Sequence, residues 1–203
     1  MLPNVVAAMM ATFNWWRLPA WLRPLALLTL FALLTEVVCR ALWLLKLNTL
    51  FMLPFYISVE FGLLVWLYGR TLASRWLCRL RWPLVIGMGG LACLEGMVQS
   101  GQPAVYSHGS RLLESLLVIL LSLRYYNVSL RRPSAAYIWN EPMFWVSTGL
   151  LFFFAGTFLI YTATGYAFYC HRPVVMQLWL VNAGLSSLLY ATYAYALWLS
   201  LKS

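Results

Sequence analysis

The sequence predicts an all-α fold, a polytopic transmembrane bundle of seven helices, and three observations predict it. The chain is 63% hydrophobic and only 9% charged, with a mean hydropathy of +0.78, far from the makeup of a water-soluble domain. Its long runs, such as Pro24 to Leu45 and Pro142 to Tyr166, are apolar on every face. A closed β-barrel needs alternation, so helices are the only spans left that satisfy their own backbone polar groups. A bilayer core about 30 Å thick takes roughly 20 residues per helix, so the 203 residues make a single transmembrane domain over 1–203 with no soluble domain expected.

Proline sets most helix starts, because the first residues of a helix need no backbone donor. The first segment, Leu2–Trp16, reaches only about 22 Å at 1.5 Å per residue. It reads as a short span or, in the alternative, as an interfacial helix beside six spans. Trp15, Trp16 and Trp21 beside Arg17 and Arg23 form an interface belt in either case. The second helix is expected at Pro24–Leu45 and the third at Thr49–Gly69, with Pro54 bending its first turns. The fourth is expected to open at Pro83 and end at Val98, and the fifth to run over His108–Tyr126. The sixth, Pro142–Tyr166, has Asn140 as its expected N-cap and Glu141 as an acid in its first turn. The seventh is expected at Pro173–Leu199. The first residues lack a basic n-region and an A-x-A pattern, so no cleaved signal peptide is expected.

Orientation follows from the basic residues. Arg17, Arg23, Arg70, Arg75, Arg79, Arg81, Arg124, Arg131, Arg132 and Lys202 fall on one side of this threading; Lys46, Arg111 and Arg172 fall on the other. The larger group is assigned to the cytoplasm, which gives an N-out, C-in protein of the bacterial cytoplasmic (inner) membrane. The net charge of +9 is punctuation between apolar runs and never a surface patch, so nucleic acid is excluded as a partner.

All five acidic residues are glutamates, and Glu36, Glu60, Glu95 and Glu114 fall within expected spans. A charge at mid-bilayer costs about 2.5–3.5 kcal/mol on insertion scales, so these side chains are expected to face the bundle interior. Glu36 and Glu60 lie about ten residues from the outer helix ends, Glu114 about six and Glu95 about three. Arg40 stands one turn from Glu36, and Arg111 is three residues before Glu114. Asn182 lies near mid-depth in the last helix. Together Glu60, Glu36, Arg40, Glu114, Arg111, Glu95 and Asn182 are the expected ligand- or proton-binding residues of a polar cavity opening outward. The competing reading makes Glu36–Arg40 and Glu114–Arg111 structural pairs that lock helices together. Glu60 has no basic residue near it on its own helix and is the acid singled out for function. Glu60, Leu63, Leu67 and Arg70 align with Glu114, Leu117, Leu121 and Arg124, a weak hint of an internal repeat.

Other chemistries find little support. No GxSxG, HExxH, Walker or GxGxxG motif occurs, so the expectation is no enzyme, no cofactor and no metal site. His108 and His171 are assigned to outer loops near Glu95, Tyr106 and Cys170, where spacing favours solvated histidines over a metal site. Cys93 and Cys170 are close enough in the threading to leave a disulfide open. The last helix has no lysine before Lys202, which excludes a retinal Schiff base.

From Glu36 to about Tyr161 the chain carries Glu36 with Arg40, the Pro54-Phe55-Tyr56-Ile57 to Glu60-Phe61 stretch, Leu113-Glu114-Ser115, and Asn140-Glu141-Pro142 followed by Phe144-Trp145, Gly149-Leu150-Leu151 and Gly156. In these features it resembles a set of small bacterial seven-helix membrane proteins of unknown function, often encoded beside sensor histidine kinases. Those proteins begin with a full first helix, so the short first segment departs from them and reads as a late start site. The resemblance implies no catalytic residues and a signalling role by association. The expected function is a sensory, receptor-like component that binds a small or lipophilic ligand and signals to a cytoplasmic partner. The alternative is a small transporter or channel, proton-coupled through Glu60 or Glu36. Expected partners are the lipid bilayer, a small-molecule ligand, a histidine kinase or other membrane partner, and further copies of the chain in a homo-oligomer.

Overall fold

A computed structural model describes residues 2–16, 18–46, 52–72, 75–99, 109–131, 135–170 and 172–202, and among these residues the chain forms seven α-helices and one short 3₁₀ segment. Arg17, Thr49, Tyr106, His108, Arg132 and His171 lie outside the described residues, as do the side chains of Arg75, Cys78, Cys170, Arg172 and Lys202. The helices are α1 (Leu2–Phe13), α2 (Arg23–Leu44), α3 (Met52–Thr71), α4 (Arg75–Gln99), α5 (Gly109–Leu130), α6 (Pro142–Cys170) and α7 (Arg172–Lys202), with the 3₁₀ segment Ala135–Asn140 before α6.

Two expected starts are corrected. Pro83 does not open the fourth helix; α4 begins at Arg75 and carries Pro83 in its interior. The stretch before the proline is rich in arginine and leucine, good helix formers, and they carry the helix through that residue. At α6, Asn140 is not the cap but the last residue of the 3₁₀ segment, and Glu141 stands just before the helix, not in its first turn. The Glu141 amide donates to the Ile138 carbonyl at 3.1 Å, and its own carbonyl receives the Phe144 amide at 3.0 Å. The 3₁₀ segment thus runs directly into α6, and no side-chain cap is needed.

Neighbouring helices pack in the order α1, α2, α3, α5, α6, α7 and back to α1, with α4 laid across α3 and α5. α1 takes a full place in this ring through its small buried face, Asn4, Ala7, Ala8 and Ala11. α3 is the most enclosed helix, burying Ile57, Glu60, Phe61, Leu64, Val65, Leu67 and Tyr68. α6 and α7 approach closely because Gly149 and Gly156 leave room for Thr192 and Leu185, the use of small residues expected where helices pack without a hydrophobic driving force.

α5 shows which solvent the bundle was built for. Its buried residues are Ser110, Glu114, Ser115, Val118, Ser122, Tyr125 and Ser129. Its exposed ones include Leu113, Leu116, Leu120 and Leu123. A helix in water does the reverse. Serines inside and leucines outside are favourable only where the surroundings are themselves apolar. Three described helices are long and apolar enough to cross a membrane, over Arg23–Leu42, Gly109–Leu130 and Pro142–Ala163.

One end of the bundle gathers arginines. Arg70, at the end of α3, donates to the Ala20 carbonyl at 2.7 Å. Trp66 lies within cation–π range of both Arg70 and Arg81, 5.0 and 5.9 Å from ring centroid to guanidinium carbon. Aromatic and basic side chains stacked in this way are the expected chemistry of a headgroup layer.

Candidate functional site

Toward the opposite end, two helices place three charges in contact. On α5, Arg111 and Glu114 are three residues apart and so share a face. Arg111 Nη1 donates to Glu114 Oε2 at 2.7 Å and to Glu60 Oε2 of α3 at 2.9 Å. The Arg111 guanidinium also stands 5.1 Å from the Tyr56 ring centroid, and the Tyr56 hydroxyl donates to Glu60 Oε1 at 3.2 Å. One guanidinium nitrogen therefore serves two carboxylates, one from each helix. Glu114 is fully buried and Glu60 nearly so. Glu114 Oε1 and Arg111 Nε are buried without a hydrogen-bond partner among the described residues.

Tyrosines surround this triad. Tyr190 of α7 is within hydrogen-bonding reach of Tyr56 and electrostatic reach of both Glu60 and Glu36. Tyr161 of α6 lies within electrostatic reach of all three members of the triad, and Tyr193 of α7 within that of Glu60. Four helices thus contribute to one buried polar cluster. Its charged members touch one another, with the Arg111 and Glu60 side chains 13% and 9% exposed and Glu114 closed off.

The remaining expected site residues go elsewhere. Glu36 and Arg40 make no ion pair: Glu36 Oε2 receives the Asn4 amide at 3.0 Å, and Arg40 is exposed. The cause is α1, whose Asn4 packs against α2 and takes the carboxylate before the arginine a turn away does. Arg111, counted on the outer side and also among the expected site residues, belongs to the triad, its side chain 13% exposed. Glu95 receives the Ser110 amide at 2.9 Å and its hydroxyl at 2.5 Å, so it caps the start of α5 from α4. Asn182 Oδ1 accepts from Thr157 Oγ1 of α6 at a long 3.5 Å.

The triad stands at the head of a polar seam. Further along the same faces, the Tyr68 hydroxyl shares a 2.8 Å hydrogen bond with Ser122 Oγ and donates to Ser147 Oγ of α6 at 3.3 Å. Nearer the arginine end, the Tyr125 hydroxyl donates to Glu141 at 3.0 Å, and Tyr126 and Thr148 are bonded at 2.6 Å. Tyr68 and Ser122 are 54 residues apart, the same offset that aligns Glu60 with Glu114. α3 and α5 therefore stand parallel at the register of the sequence match, with their two acids at one level. Between the triad and the Tyr68 cluster, α3 and α5 present Leu64 and Val118, both fully buried, while buried Tyr193 of α7 lies within electrostatic reach of both Glu60 and Tyr68.

Tyr56 is legible in the sequence four residues before Glu60, one helical turn away. Tyr161, Tyr190 and Ser147 carry no such signal, because only tertiary packing brings them in. No group of three His, Cys, Asp or Glu side chains able to hold a metal occurs among the described residues. Cys93 is an exposed free thiol and Cys39 a half-buried one, while the side chain of Cys170, the other half of the disulfide left open by the sequence, lies outside the described residues. No family model matches the chain, and no curated protein or solved structure shows significant similarity to it.

Proposed function

We propose that this is a seven-helix sensory component of the bacterial cytoplasmic membrane, without enzymatic activity, which binds a small ligand at the Glu60–Arg111–Glu114 cluster and signals to a cytoplasmic partner. The arginine end faces the cytoplasm and the triad lies in the outer half, so the chain is N-out and C-in. The observation that carries this reading is the triad itself: an unevenly charged, largely buried cluster held between α3 and α5, the second of which exposes leucine on its outer face. Any ligand larger than a proton must part Arg111 from one of its two acids to enter. Entry then moves α3 against α5, and a ligand that favours the parted state shifts the helices by its differential affinity. The polar seam continues to Glu141 and the start of α6, where a cytoplasmic partner such as a histidine kinase would read the shift.

A proton-coupled transporter is the second reading, favoured by two carboxylates facing one guanidinium. Fully buried Leu64 and Val118 interrupt the seam on the α3 and α5 side below the triad, which favours a helix shift over a continuous proton path. Two measurements decide between them. The tagged protein, purified from its native membrane, is expected to bring down a histidine kinase, and proteoliposomes of the purified chain are expected to show no proton flux. A flux that Glu60→Gln abolishes would replace sensing with transport.

A further inference from the structure

We infer that the Glu60–Arg111–Glu114 cluster is a proton-binding site that holds one proton, on one or the other of its two carboxyl groups, in the resting protein. This deepens the reading above and rests on the same cluster. The argument is a charge count in a place where charge is expensive. Two carboxylates and one guanidinium leave one negative charge in excess. Burying an unpaired ion in an apolar interior costs several kcal/mol even after relaxation, and two carboxylates in one site do not both stay ionised when a proton is to hand.

The surroundings offer no other counter-charge among the described residues. Facing the acids from α3 is Tyr56, from α6 Tyr161, and from α7 Tyr190 and Tyr193, all neutral phenols. The acid of α2, Glu36, reaches Tyr190 and adds negative charge, and the acid of α4, Glu95, is engaged with Ser110. Arg111 is the one cation in contact with either acid among the described residues. Size selects the occupant. Glu114 Oε1 is both unpartnered and closed to solvent, so a metal ion or an ammonium group would have to open the packing, whereas a proton adds to a carboxylate oxygen with no displacement. Uptake turns one carboxylate into a carboxylic acid and brings the cluster from a net charge of −1 to zero; release reverses it, with no other bond made or broken. Ser110, bonded to the half-buried Glu95, is one turn from Glu114 on the same face of α5, which places the exchange route at the end of the bundle away from the arginines.

Infrared spectroscopy of the full chain in lipid nanodiscs at neutral pH tests this without any variant, because a protonated carboxyl shows a C=O stretch apart from carboxylate bands. Wild type is expected to show that band. Glu60→Gln and Glu114→Gln are each expected to lose it, since a single acid pairs with Arg111 and stays ionised, while Arg111→Met doubles it. Glu36→Gln leaves it unchanged. No band in wild type, or a band that survives both Glu60→Gln and Glu114→Gln, overturns the inference. A band in a protein that brings down no kinase leaves this site standing and removes the sensory reading; a kinase partner without the band does the opposite.

Discussion

Arg111 is held by two acids from different helices, and its removal and theirs have unequal consequences. Arg111→Ala strips both carboxylates of their cation at once, and breaking a buried pair from one side costs about 3–5 kcal/mol. Thermal denaturation in detergent is expected to show this as a large loss of stability, whereas Glu114→Gln, which keeps shape and leaves a balanced Glu60–Arg111 pair, is expected to melt close to wild type. A Glu114→Gln protein that melts with Arg111→Ala would mean the second acid is structural. Tyr68→Phe removes hydrogen bonds to Ser122 and Ser147. Bonds of this kind inside membrane proteins average only about 0.6 kcal/mol, so the variant is expected to fold with a small drop in melting temperature. Whether a contact of this site is legible in the sequence depends on whether it is local. The Arg111–Glu114 pair follows from helical spacing, and so does Tyr56 beside Glu60. The Glu60–Arg111 contact crosses 51 residues, and only the packing of α3 on α5 supplies it. The same limit explains the failure at Glu36: helical spacing offers Arg40, and a side chain from another helix takes the site.

At the scale of the helix, small residues and not propensities decide the fit. A methyl group added at Gly149 or Gly156 meets the side chain of Thr192 or Leu185, while one added at Gly184 meets nothing within 4 Å. Gly149→Ala is expected to cost about 1–3 kcal/mol through overpacking and Gly184→Ala nearly nothing, a contrast that comparative melts of the two variants would measure. Equal losses would mean that the α6–α7 approach is looser than these contacts imply. The number and order of the helices are legible from apolar run length alone, because run length is what the bilayer selects. Their ends are less so. α4 passes through Pro83, which stands on its exposed face, because a membrane helix can survive the hydrogen bond a proline removes, a tolerance that local sequence does not encode.

For the molecule as a whole, the arginine end is the feature on which the proposed orientation rests. Under that orientation, drawing Arg111 into the bundle leaves Lys46 and Arg172 as the basic residues the sequence assigns to the outer loops, which sharpens the expected asymmetry. In a cysteine-free background, a cysteine placed at Arg131 is expected to react with an impermeant thiol reagent only after the inner membrane is opened, and one at Lys46 in intact spheroplasts. The reverse pattern would invert the topology and put the triad near the cytoplasm. The location of Glu60 and its cation on separate helices also bears on biogenesis. When α3 leaves the ribosome its acid has Tyr56 beside it but no cation, and at about 5–20 residues per second the 51 residues that separate it from Arg111 take roughly three to ten seconds to synthesise. For that interval the nascent α3 must wait beside the translocon, or take up a proton of its own, before α5 arrives to neutralise it.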